Sequence, residues 1–444
     1  MLVLATAGAR SVTSSADFTL AGRKSGSWSV AGGIMGTLVG GASTVGTVQL
    51  AFLYGLSAWW FTLGSGLACL FLGLALAPAL RRSRVETIPQ FISRYHGERA
   101  RVCASLFSAL GMFIHIVAQL LACGAILATL FNFTTLQGAV ISAVLVSVFA
   151  LGGGMRSAGP LGMAKLLLLY GTMAGAGMVA VAKAGGWHQL LSSFPAFPWF
   201  SLFGYGVKEG VSDLVSMLVG VISTQTYLQA VFASRDTVAA RRGAVISAIM
   251  IPPLGLLGIA VGLFMRKSHP ALDSARALPA FLLEYVPSEL AGIAFAALLI
   301  AAVGTASGLT LGVGTTLKVD ILAKLRLREK QELTVIRLIT LGVILAALAI
   351  LLFNLDTAIM KWSFLSMGLR GATLCLPLLG AVFFRERTTF TGGALSIYTA
   401  PLAVIAAGII RTTLPPLLIG LSVSVAAMIC GLALDRYARS RLKS

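Results

Sequence analysis

The chain has 444 residues, 57% of them hydrophobic and 11% charged, against roughly 25% charged in soluble domains; this excludes a soluble globular protein and indicates an integral membrane one. Its formal net charge of +19 does not point to nucleic acid, because the basic residues stand in short loops between apolar runs rather than on a soluble face. Cys69, Cys103, Cys123, Cys375 and Cys430 lie in apolar segments without disulfide or metal spacing and read as small core residues.

In chain order, the run Met1–Ala9 is too short to span and lacks a small-residue cleavage site, so it reads as the remnant of a truncated helix. Residues 1–28 as a whole form a cytoplasmic lead-in. Apolar runs of about 20 residues, the length that crosses a bilayer, follow near 29–55, 57–79, 103–131, 137–152, 160–182, 211–232, 243–265, 289–316, 335–353, 362–384, 392–410 and 415–434. The expected architecture is all-α and polytopic, with about twelve transmembrane helices.

The first run carries the stretch Gly32-Gly33-Ile34-Met35-Gly36-Thr37-Leu38-Val39-Gly40-Gly41-Ala42-Ser43-Thr44-Val45-Gly46, with six glycines and three hydroxyls in fifteen residues. Each Gly costs roughly 1 kcal/mol against Ala in a helix interior, so the helix is expected to open there. Free carbonyls at membrane depth are tolerated where they line a polar cavity or an ion site; the alternative is that the glycines only allow close helix packing. Between the second and third runs, Arg81–Arg101 is amphipathic, with Ile88, Phe91, Ile92 and Tyr95 on one side, and is expected to lie on the bilayer surface. The sixth run again mixes glycine and polar residues: Ser216, Gly220, Ser223, Thr224, Gln225 and Thr226. A pair of interrupted spans in two halves is the sequence pointer to a transport site. The connections 184–210 and 266–288 contain Phe194-Pro195-Ala196-Phe197-Pro198, Pro279 and Pro287, and are expected to form short re-entrant or surface helices.

The Lys and Arg residues gather in alternate loops: Arg23 and Lys24; Arg81 to Arg101; Arg235, Arg241 and Arg242; Lys318 to Lys330; Arg385 and Arg387; and Arg436 to Lys443. By the positive-inside rule these face the cytoplasm, the C-terminus with them, in the inner (plasma) membrane. Trp28, Trp59, Trp60, Trp187, Trp199 and Trp362 fall at or near span ends, as interfacial indoles do.

Five stretches taken together resemble the sodium/solute symporter family over residues 16–411: Asp17-Phe18-Thr19-Leu20-Ala21-Gly22-Arg23, Thr87-Ile88-Pro89-Gln90-Phe91-Ile92-Ser93-Arg94-Tyr95, Gln225, Ala301-Ala302-Val303-Gly304-Thr305, and Asp320-Ile321-Leu322. The resemblance implies a ten-helix core of two inverted five-helix repeats, here 29–182 and 211–384, separated by an outer connection over 183–210. Two peripheral helices and a basic tail follow over 385–444. It also implies broken first and sixth helices, a small-molecule solute bound between them, and sodium as coupling ion, with no other cofactor. The sodium ligands it implies are the carbonyls of Gly36, Val39 and Ala302 and the hydroxyl of Thr305.

Two departures from the family pattern stand out. Ala306 replaces a second hydroxyl, and Leu161-Gly162 replaces a Thr-Asp pair at the start of the fifth helix. Lys165 is three residues beyond Gly162, on the same helix face. It either projects into the cation site, where it would stand in for the ion and carry a proton, or snorkels to cytoplasmic phosphates.

Further polar residues deep in the spans are Gln49, His115, Gln119, Gln225 and Arg370. His115 and Gln119, four apart, share a face that suits a solute cavity, although a neighbouring hydroxyl would also satisfy the histidine. Gln49 either meets solute or lines the outer vestibule. Gln225 either meets solute or packs around the second break. Arg370 lies roughly 12 Å inside its span, where a charge marks a pathway or a partner. With Glu209, Asp213, Asp320 and Asp356 all near span ends, its partner is either an anionic solute group or backbone carbonyls. There is no HExxH, no paired intramembrane aspartates and no Ser/His nucleophile context, so no enzyme is indicated. Sodium-independent, proton-coupled or uncoupled transport on the same fold is the alternative.

Overall fold

The computed structural model describes residues 23–152, 155–322, 329–355, 357–384, 389–410 and 412–441. The expected N-terminal remnant, most of the Asp17–Arg23 motif, Asp356, and Arg385 with Arg387 lie outside the described residues. Every expected apolar run is helical. The first comprises α1 (Ser27–Leu38) and α2 (Thr47–Tyr54), joined by a π-helical turn over Ala42–Gly46. The second is α3 (Trp60–Phe71) with α4 (Ala77–Arg82). Next come α5 (Ile88–Phe131), α6 (Thr135–Gly152) and α7 (Met155–Lys183). The outer connection forms α8 (Trp187–Ser192) and α9 (Ala196–Trp199), the short helices its prolines led one to expect. The sixth run is α10 (Val207–Ile222) with α11 (Gln225–Phe232). The remainder is α12 (Thr237–Ser268), α13 (Ala277–Tyr285), α14 (Ser288–Asp320), α15 (Glu329–Leu352), α16 (Ile359–Phe383), α17 (Phe390–Ile410) and α18 (Pro416–Arg441). Among the described residues ten stretches are long and apolar enough to cross a membrane, with Ala42–Arg82 counted as one and Thr135–Leu151 just short.

Both expected breaks are present. After α1, Val39 is extended (φ −91°, ψ 101°) and its N–H closes the last turn on the Met35 carbonyl. After α10, Ser223 (φ −109°, ψ 6°) and Thr224 (φ −96°, ψ 119°) leave the helix before α11 begins. α1 packs on α7 and α12, α11 packs on α1, and α14 crosses α5, α7 and α1. The first break therefore faces the middle of α14, and a single buried core surrounds both.

The amphipathic stretch 81–101 corrects the sequence reading. Ile88, Phe91 and Ile92 are buried at 0%, 1% and 0% exposure, so their apolar face meets protein rather than lipid. The cause is local. Thr87 accepts from the Gln90 N–H while the Gln90 side chain reaches back to the Thr87 N–H, a capping box with proline in the first turn that starts α5 early. Gly97 then turns the chain at φ +86°, which favours glycine; a β-carbon there would come within 2.5 Å of the Phe390 ring.

Candidate functional site

At the first break the chain satisfies its freed groups from within. The Gly40 N–H donates to the Ser43 hydroxyl (2.8 Å), and the Ser43 and Thr44 hydroxyls donate to the Gly40 carbonyl (both 2.9 Å). The Gly41 N–H donates to Gln119 Oε1 across from α5 (2.8 Å). Gln119, a candidate for solute contact, thus caps the break, and its Nε2 has no partner among the described residues. Gly40 must be glycine, since a β-carbon would sit 2.5 Å from Thr305 Oγ1 and 2.6 Å from Gln119 Oε1.

Next to this cap, Lys165 is 3% exposed, and its Nζ donates to the Gly36 carbonyl and to Thr305 Oγ1, each at 2.7 Å. Thr305 Oγ1 stands 3.3 Å from the Val39 carbonyl and 3.4 Å from that of Gly36. The lysine nitrogen therefore touches two of the four groups expected to hold a cation, and the threonine joins it to a third. Ala302 packs its methyl group 3.1 Å from the position of a Gly41 β-carbon. Of the two placements open to Lys165, the inward one is observed, and it does not reach a lipid phosphate. The missing carboxylate has a steric reason: a side chain at Gly162 would run into the Gly32 carbonyl, with the Gly36 Cα 3.2 Å from its β-carbon.

A second polar cluster lies around Arg370, which is fully buried. Its Nε donates to the Ser366 carbonyl (3.1 Å), and its Nη2 to Ser366 Oγ (2.7 Å) and Met367 Sδ (3.2 Å), with His115 Nδ1 at 3.4 Å. The side chain passes α5 at Gly111, where any β-carbon would collide with Arg370 Cγ. No carboxylate forms an ion pair with it among the described residues. Tyr227, on α11 just past the second break, adjoins the guanidinium. Arg370 Nη1, His115 Nε2 and Tyr227 Oη have no hydrogen-bond partner among the described residues. Tyr227 escaped the sequence reading because tyrosine is unremarkable in an apolar run; its place three residues after the break at Thr224 was the available signal.

The remaining two candidates lie elsewhere. Gln225 accepts from the Ile88 N–H and donates to the Glu86 carbonyl (both 2.9 Å), so both ends of its amide hold the loop before α5 to the start of α11. This is the packing role. Beside it, Asp320 accepts from Arg101 (2.7 Å) and Thr87 (3.0 Å), tying the end of α14 to the same loop. Gln49 accepts from the Ile359 N–H (3.0 Å). It lines a vestibule of about 670 Å³ with Tyr54, Tyr205, Asp213, Lys361 and Gly368. There the Tyr205 hydroxyl donates to Asp213 (2.5 Å); burial, and then that carboxylate, hold the phenol well above its ordinary pKa.

Solved structures of several transporters share the fold, three of them as follows. A Na+-coupled sialic acid symporter, in a substrate-bound outward-open state, superposes with a TM-score of 0.80 at 17% identity over 98% of this chain and 95% of its own. Mhp1, a nucleobase-cation-symport-1 family transporter in a closed conformation with bromovinylhydantoin bound, gives 0.64 at 14% identity over 96% and 95%. MhsT in complex with L-phenylalanine gives 0.58 at 14% identity over 87% and 98%. Comparison with curated proteins gives no significant match. The family model of sodium:solute symporters matches residues 18–398. The paired helix breaks, the transporter architecture and this match together make the chain a secondary active solute transporter, not an enzyme, belonging to the sodium:solute symporter family.

Proposed function

We propose that the protein imports a small organic solute carrying an anionic group, bound between the two breaks, with its basic loops and C-terminus in the cytoplasm. The observation that carries this reading is the buried Arg370, which has no ion pair among the described residues, beside atoms of His115 and Tyr227 that have no hydrogen-bond partner among them. A charge at membrane depth is costly and buried donors are normally satisfied; a carboxylate would meet the free guanidinium edge and the flanking donors together. Sialic acid, named for the sialic acid symporter, is itself a carboxylate, so sugar acids and other small carboxylates head the panel to screen. Sodium is the coupling ion that family membership leads one to expect, with Gly36, Val39, Ala302 and Thr305 as its contacts.

One observation favours a second reading of the coupling. Lys165 Nζ already bonds the Gly36 carbonyl and the Thr305 hydroxyl. Sodium brought to the same oxygens would have to displace it, and a charged lysine would repel sodium at that range. On this reading the lysine stands in for the ion, and transport is sodium-independent, with a proton or no ion coupled.

Uptake across a sodium series at two pH values separates the two readings and tests the solute class. Arg370→Gln is expected to weaken solute binding by about 2–5 kcal/mol, the cost of breaking a buried charge contact; undiminished uptake would sink the anionic reading. Steep, saturable sodium activation of the wild type, unchanged in Lys165→Ala, would sink the lysine reading. Flat sodium dependence, with uptake lost in Lys165→Ala, would sink sodium coupling.

A further inference from the structure

At the basic end of the molecule, away from both breaks, a groove of about 1080 Å³ runs between the start of α1, the turn after α3 with α4, and the start of α12. Its walls change character along their length. Leu74, Pro78, Val245 and Ile246 form an apolar part, and Arg82, Arg235, Arg241 and Arg242 a basic part. Trp28, Leu74 and Val238 on its rim are 61%, 50% and 54% exposed, as side chains facing lipid are. Arg82, Arg241 and Arg242 have no hydrogen-bond or ion-pair partner among the described residues. Arg235 pairs with Asp236 at 3.3 Å. The Ala239 N–H and then Arg235 hold that carboxyl below its usual pKa, so Asp236 stays ionised and offsets part of the charge.

We propose that this groove binds the headgroup of an anionic phospholipid. Three unpaired guanidinium forks can donate to one phosphate from several directions, and basic pockets between spanning helices suit such headgroups. The apolar wall would carry the first acyl carbons, which a free phosphate ion would leave uncovered. The groove adjoins a strap between the segment before α1 and the end of α11. In that strap the Ser25 N–H donates to the Ala233 carbonyl (3.1 Å), the Arg235 N–H donates to the Ser25 carbonyl (2.9 Å), and Arg81 Nε donates to the Ser234 carbonyl (2.6 Å). A bound headgroup would bridge the same elements and reinforce this closed end.

The test is thermal unfolding and native mass spectrometry of the full chain in detergent, titrated with phosphatidylglycerol, phosphatidylcholine or inorganic phosphate. Phosphatidylglycerol alone is expected to raise the melting temperature and to remain bound. The triple change Arg82→Gln, Arg241→Gln and Arg242→Gln is expected to weaken that binding roughly a hundredfold, at about fivefold per arginine. A matched triple at Arg99, Arg337 and Arg436 should leave it unchanged. If the groove variant fails to fold, Arg241→Lys alone, which keeps the charge and loses the fork, should still lower lipid retention. Equal stabilisation by phosphatidylcholine, the same effect from inorganic phosphate alone, or equal loss in the matched triple would each overturn the proposal.

Discussion

At Gly162, chain packing and ion chemistry meet in one residue. A carboxylate there would complete the cation site that the family resemblance implies, yet the Gly32 carbonyl occupies the space a side chain needs. Lys165, one turn further along α7, reaches Gly36 and Thr305 instead. Gly162→Asp is therefore expected to destabilise the protein by about 1–3 kcal/mol through overpacking alone, seen as a lower melting temperature, rather than to restore a sodium ligand. A variant as stable as the wild type, with new sodium activation of uptake, would show that α1 and α7 separate easily and that this packing argument is wrong.

Among the elements, the loop before α5 carries more than the sequence indicated. It caps its own helix through Thr87 and Gln90, receives Gln225 from the start of α11, and receives Asp320 from the end of α14. Asp320 has a fully buried side chain bonded to Arg101. Removing one member of a buried ion pair strands the other, at a cost of about 3–5 kcal/mol. Asp320→Ala should lose that much in thermal or denaturant unfolding, and Asp320→Asn, which keeps an acceptor, clearly less. Equal stability of all three proteins would mean that the contact between α14 and this loop contributes nothing to holding the basic end closed.

For the whole molecule, a vestibule bounded by Gln49, Tyr205 and Asp213 at one end is set against a strap of hydrogen bonds at the basic end. Ser212 lines the vestibule, whereas Thr226, just past the second break, is 2% exposed. In a Cys430→Ala background, which removes the exposed native thiol, Ser212→Cys should react readily with a membrane-impermeant thiol reagent and Thr226→Cys should not, by at least about tenfold in rate, the reactive thiolate having to be reachable. Comparable labelling of both would mean that the second break is as open to the reagent as the vestibule in the resting protein.

The sequence alone determined the membrane setting, the order of the spans, the two interrupted helices and the set of residues worth testing. Each of these follows from local properties: apolar length, glycine's poor helix propensity, and the cost of a polar group in hydrocarbon. Set against the family resemblance, it also marked Ala306 and Gly162 as departures from the cation ligands that resemblance implies. Only the tertiary structure decided where side chains with two plausible destinations go. Lys165 is long enough to reach either the bilayer surface or the first break, and the close approach of α7 to α1 at Gly162 brings it to the break. Gln225 looked equally fit for solute or packing until the loop before α5 was found against it. Arg370 had no charged partner along the chain, and its neighbours His115 on α5 and Tyr227 on α11 come from two other helices that only folding brings against α16. The apolar face of Arg81–Arg101 has the same pattern whether it meets lipid or protein, so periodicity could not tell the two apart, and burial against the core did.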